Sequence, residues 1–92
     1  MTVARRFTVR GDVQGVGFRW AARQEAMRLG LVGTVRNRRD GAVEAEAQGG
    51  SDDVQRFADW LSHGPRWARV TEVTTEELTA LEASAFEIRA DR

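Results

Sequence analysis

The stretch Gly11-Asp12-Val13-Gln14-Gly15-Val16-Gly17-Phe18-Arg19 decides how the chain is read. Before it, Phe7 and Val9 alternate with Thr8 and Arg10, which is the period of a half-buried strand running from Val3 to Arg10. After it, Ala22, Ala26, Met27 and Leu29 recur at helical spacing, and Gly30 stands where a helix C-terminal glycine belongs. The nine residues therefore close a strand, turn on glycines and open a helix. Glycines at 15 and 17 let successive backbone N–H groups converge on one point, and the helix that follows adds the positive end of its dipole. Arg19 supplies a planar, permanently charged fork that can hold two phosphate oxygens. Gln14, Gly15, Val16, Gly17, Phe18 and Arg19 thus have the makings of a phosphate cradle. It is not a nucleotide loop, because G-x-x-x-x-G-K-[ST] is absent and a G-x-G-x-x-G fingerprint would need glycine where Trp20 stands.

Working outward, Val32 to Asn37 reads as a second strand and Asp40-Gly41 as a hairpin turn. Val43, Ala45 and Ala47 alternate with Glu44, Glu46 and Gln48 in a third strand, which Gly49-Gly50 is expected to break. Ser51 is placed as an N-cap, with Asp52 and Asp53 in the first turn of a second helix. Val54, Phe57, Ala58 and Leu61 form its apolar stripe, and Gly64-Pro65 stops it. A fourth strand spans Ala68 to about Glu77, and a short fifth spans Ala85 to Ala90 with Phe86 and Ile88. The order βαββαβ with a terminal strand predicts one α+β domain over residues 1–92. The expected architecture is a ferredoxin-like sandwich, an antiparallel sheet with two helices on one face.

That topology makes a geometric prediction. A first helix of about eleven residues descends ~16 Å from the glycine turn, and six residues of returning strand climb ~20 Å. A right-handed crossover makes the first two strands parallel, so their C-terminal ends share one edge of the sheet. Arg19 and Asn37 are expected to face one ligand. Taken alone, Arg19 reads equally as an ion-paired first-turn residue, and Asn37 as a strand-end residue.

The word at residues 11–19 resembles the signature of the acylphosphatase family, G-x-V-Q-G-V-G-F-R followed a helix and a strand later by V-x-N, here Val35-Arg36-Asn37. The resemblance continues through Asp40-Gly41-Ala42-Val43-Glu44, Gly49, Phe57, Leu61, Gly64-Pro65, Val70, Val73 and Phe86-x-Ile88, in order across nearly the whole chain. It implies that Arg19 binds the phosphate, that Asn37 orients the attacking water, and that the backbone of Gln14 to Phe18 completes the cradle. It also implies an acyl phosphate substrate, inorganic phosphate as product, and neither metal nor cofactor. Two positions depart from the family pattern. Asp12 stands where a basic or polar residue is common, near the loop, and Thr34 stands where tryptophan often follows Gly33.

The chemistry open to an arginine and a carboxamide is narrow, since neither is a useful proton acceptor near neutral pH. Such a pair needs a substrate that brings a good leaving group. An acyl phosphate does so, because P–O cleavage expels a carboxylate that needs no protonation.

Composition narrows the classes further. The formal net charge is zero, which argues against binding nucleic acid through bulk positive charge. All 14 basic residues are arginine, so a Schiff-base lysine is excluded, and the absence of cysteine excludes a thiol nucleophile or thiolate metal site. No apolar run approaches a membrane span and no signal-peptide core is visible, so a cytoplasmic, monomeric protein is expected, free-standing rather than part of a larger maturation protein. Arg36, Arg38 and Arg39 read either as a lure for an anionic substrate or as a solvated hairpin. His63 reads as a helix-end residue, and Trp20, Trp60 and Trp67 as core or rim packing. The competing readings are a non-catalytic phosphate-sensing or accessory module on the same fold, and an RNA-binding module. The latter rests on the superficial similarity of Gly15-Val16-Gly17-Phe18 to an RNP1 word, which belongs on a central strand rather than at a strand-to-helix turn.

Overall fold

Alternation and glycine punctuation produce seven elements in the computed structural model, which describes residues 1–92. They are β1 (Thr2–Asp12), α1 (Phe18–Arg28), β2 (Val32–Asn37), β3 (Val43–Gly50), α2 (Ser51–Leu61), β4 (Arg69–Leu78) and β5 (Phe86–Ile88). The sheet order is β4-β1-β3-β2-β5. The first four strands pair antiparallel throughout, as expected of the ferredoxin-like sandwich. The short fifth strand joins β2 in parallel, with Gly33 opposite Phe86 and Val35 opposite Ile88, so the complete sheet is mixed.

Both helices cover one face. Ala22 and Ala26 of α1 and Val54, Phe57 and Leu61 of α2 meet Phe7, Val9, Val35, Ala45 and Ala47 of the sheet in one buried cluster. Phe57 is its centre, with ring centroids 6.1 Å from Phe7, 5.7 Å from Phe86 and 6.4 Å from Trp60. Edge-to-face and offset aromatic pairs at these separations add to the gain from area burial. Trp60 also meets Phe18 edge-on, which ties the start of α1 to α2.

The opposite face of the sheet is open and charged. Arg6 on β1 donates to Glu46 on β3 at 2.8 Å and lies 3.6 Å from Glu76 on β4. The buried carboxylate of Glu44 is ringed by Arg92 at 3.5 Å and by Arg36 and Arg38, each at 3.9 Å. Cross-strand pairs of opposite charge stabilise a solvated sheet face where apolar residues would invite association.

Several local expectations need correction. Gly49 and Gly50 do not break β3: they pair with Val3 and Thr2, because an available ladder outweighs the weak strand propensity of glycine. Ser51 is the first residue of α2 and not its N-cap. The chain passes from β3 straight into the helix with Gly50 at the cap, and the Ser51 amide donates to the Met1 carbonyl at 2.9 Å. Met27 is turned to solvent, since Phe18, Ala22 and Ala26 already form the buried stripe of α1. Trp67 is likewise exposed, with the Arg66 guanidinium 5.1 Å above its ring. Neither 11-residue helix is long and apolar enough to cross a membrane.

Candidate active site

The turn between β1 and α1 is built by two left-handed glycines, Gly15 at φ 76° and Gly17 at φ 77°. No atom would contact a Cβ added at either position, so backbone conformation alone calls for glycine there. Gly17 caps α1 without a side-chain hydrogen bond, and the first turn carries no acidic residue. In α2, by contrast, Asp52 and Asp53 offset the positive helix end. The amides of Gln14 to Gly17 donate to no backbone or side-chain acceptor, and the first-turn amides of α1 have no partner inside the helix. A run of unused donors thus meets an uncompensated helix dipole at one place.

The Gln14 side chain braces this turn. Its Nε2 donates to the Arg38 carbonyl at 2.7 Å and the Ala42 carbonyl at 2.9 Å, tying the loop to the β2–β3 hairpin. The hairpin closes through Arg38 N–H to the Ala42 carbonyl and through the Ala42 amide donating to Asp40 Oδ1 at 3.1 Å. That backbone bond, with Arg10 and Arg38 at hand, holds the Asp40 carboxyl below its ordinary range.

The parallel relation of β1 and β2 brings their C-terminal ends to the same edge, and there Arg19 and Asn37 enter one cleft. It has a volume of about 220 Å³ and is lined by Val13, Gly15, Gly17, Phe18, Arg19, Trp20, Asn37 and Ile88. Asn37 is only 8% exposed, yet its carboxamide makes no hydrogen bond within the protein. Its backbone carbonyl is taken by the Arg92 amide at 2.9 Å. Arg19 is not free: its Nη1 donates to Asp91 Oδ1 at 3.1 Å. Arg19 is thus an ion-paired residue of the first helical turn that also lines the cleft.

Arg36 and Arg38 do not face this cleft. They lie on the open face among Glu44 and Asp40: β2 alternation turns Arg36 away from Asn37, and Arg38 follows in the hairpin just past the strand. A larger cleft of about 410 Å³ on that face is lined by charged side chains alone, including Arg38, Arg39 and Arg92. It shares no residue with the cleft of Arg19 and Asn37. Asp12 stands opposite Arg69 in the β1–β4 ladder and is not among the residues lining the smaller cleft. His63 keeps a structural place, its Nδ1 lying 3.1 Å from the Asp59 carbonyl.

Sequence reasoning missed Asp91, Ile88 and the placement of Trp20. The first two reach the site because β5 runs parallel to β2 and carries the following residues along it: the Arg89 amide donates to Val35 and the Arg39 amide to Arg92. The alternation of Phe86 and Ile88 was the available signal.

The acylphosphatase family model matches residues 5–88. An acylphosphatase of Bifidobacterium longum is 47% identical over 89 residues, covering 95% of this chain and 92% of that relative. The structure of an acylphosphatase from Coxiella burnetii superposes with a TM-score of 0.92 at 39% identity, covering 96% of this chain and 93% of the other. That from Bacillus subtilis gives 0.91 at 38% identity, with 97% and 99% covered. Signature residues, strand order and whole-chain superposition agree, and the chain belongs to the acylphosphatase family of hydrolases.

Proposed function

We propose that this protein hydrolyses the carboxyl–phosphate bond of acyl phosphates without a metal, giving a carboxylate and inorganic phosphate. The observation that carries this reading is the meeting, in one cleft, of unused loop amides, Arg19 and the unbonded carboxamide of Asn37. The amides of Gln14 to Phe18 and the Arg19 fork hold the phosphoryl oxygens and stabilise charge that builds on them. Asn37 accepts a hydrogen bond from a water and orients it in line with the scissile P–O bond. The proton of that water passes to a phosphoryl oxygen of the substrate, since neither side chain takes it. Cleavage expels the carboxylate unprotonated.

The test is hydrolysis of benzoyl phosphate by the purified protein in EDTA, followed by ultraviolet absorbance, with Arg19→Gln alongside. Turnover in the parent and a loss of both turnover and phosphate affinity in the variant are expected. Phosphate binding without turnover in the parent would overturn hydrolysis and favour a sensing or accessory module.

A further inference from the structure

The exposed large hydrophobic residues are not spread evenly. Met1 is terminal, Met27 faces solvent from the outer side of α1, and Trp67 lies beneath Arg66. The other two, Trp20 at 63% exposure and Ile88 at 42%, stand on the walls of the Arg19 and Asn37 cleft. They come from distant parts of the chain, Trp20 from the first turn of α1 and Ile88 from the end of β5. Val13 and Phe18 also line the cleft but are buried at 1% and 2% exposure, so its accessible apolar surface is that of Trp20 and Ile88.

Charge at the site is equally uneven. Arg19 is the only charged residue lining the cleft, and in the hydrolase reading its guanidinium is taken up by the phosphate. Arg36 and Arg38 lie beside Glu44 and Asp40 on the other face of the sheet. A second anionic group on a ligand would find no further cation lining this cleft, and Arg19 already shares its charge with Asp91. The volume, about 220 Å³, is below the roughly 300–1,000 Å³ of sites for drug-sized ligands, so the occupant is small.

Resting on the hydrolase reading above, we infer that Trp20 and Ile88 form an acyl subsite that selects uncharged, apolar acyl groups over acyl groups carrying a second carboxylate. The phosphoryl group takes the glycine turn and Arg19. The acyl chain then leaves the cleft between the indole and the isoleucine side chain, and removing that surface from water favours longer aliphatic chains.

The experiment uses acetyl, butanoyl and hexanoyl phosphates, whose leaving carboxylates are of nearly equal basicity, together with succinyl phosphate. In the parent, kcat/KM is expected to rise about two- to fourfold for each methylene covered, chiefly through KM. Succinyl phosphate is expected to fall on the order of tenfold below butanoyl phosphate. Trp20→Ala is expected to flatten the chain-length dependence, lowering the hexanoyl to acetyl ratio on the order of tenfold, and Ile88→Thr to lower it in the same direction. The subsite is overturned by a flat series in the parent, by a ratio that survives both substitutions, or by succinyl phosphate matching butanoyl phosphate. Absence of turnover on every member removes the hydrolase reading itself and the subsite with it. Turnover of acetyl phosphate that depends on Arg19 but shows no chain-length trend removes the subsite alone.

Discussion

Replacing Asp91 by asparagine removes a charge from beside Arg19 while keeping a side chain of the same size that still accepts its hydrogen bond. The pair is 3.1 Å apart, and its side chains are 38% and 63% exposed. At that separation the Coulomb attraction in water is about 1 kcal/mol, and exposed pairs of this kind contribute ~0.2–1 kcal/mol once side-chain ordering is included. A phosphate that takes Arg19 must offset that attraction and also sit near the Asp91 carboxylate. Asp91→Asn should therefore tighten inorganic phosphate about two- to fivefold at low ionic strength. At ~1 M salt the screening length is ~3 Å, comparable to the pair separation, and the advantage should shrink below about twofold. The assay is competitive inhibition of acyl phosphate hydrolysis by phosphate, measured for parent and variant at both salt concentrations. Unchanged or weaker phosphate binding at low salt would refute the reasoning, because it would mean that the carboxylate presents Arg19 to the ligand and does not compete with it.

Asn37→Ala should lower kcat by about 10²- to 10³-fold, the usual cost of one lost preorganised contact, with the phosphate inhibition constant kept within about twofold; full activity at saturating substrate would exclude the water-orienting role. Phe57→Ala should lose ~3–5 kcal/mol in urea unfolding, because the ring is fully buried between Phe7, Trp60 and Phe86. A loss below ~2 kcal/mol would show that α2 repacks. The Ala42 amide, with Arg10 and Arg38, lowers the Asp40 carboxyl in the folded state, so its stabilisation is present above the ordinary aspartate range and is lost as pH falls through the folded value. The melting temperature of Asp40→Asn should accordingly lie below that of the parent at neutral pH and converge on it in acid; a gap that widens in acid would reverse the assignment.

What the sequence disclosed and what it hid divide along the range of the interactions. β2 was legible to the residue from Val32 to Asn37, and α1 from its alanine spacing, because patterning and turn chemistry act locally. The meeting of Arg19 with Asn37 followed from helix rise, strand rise and crossover handedness, which are properties of the backbone. Asp91 and Ile88 stayed hidden because their place depends on β5 pairing parallel with β2, a long-range event: the alternation of Phe86 and Ile88 marks a strand but does not say which strand it joins. Gln14 was expected to contribute its amide. Its side-chain brace to Arg38 and Ala42 depends on a loop-to-hairpin approach that spacing does not encode. Gly49-Gly50 misled for the complementary reason, since a partner strand overrode local propensity.

The order of the strands leaves the sheet with two free borders, and they differ in kind. On one side β5 offers only Phe86, Glu87 and Ile88, too few residues to template a lasting pairing with another chain. On the other, β4 is ten residues long and open to solvent, the sort of border on which proteins polymerise. Glu72, Glu76 and Glu77 lie along it, with a single Arg69 at its start. A second copy laid edge to edge in parallel register would set each glutamate against its own counterpart, and that like-charge contact opposes the pairing.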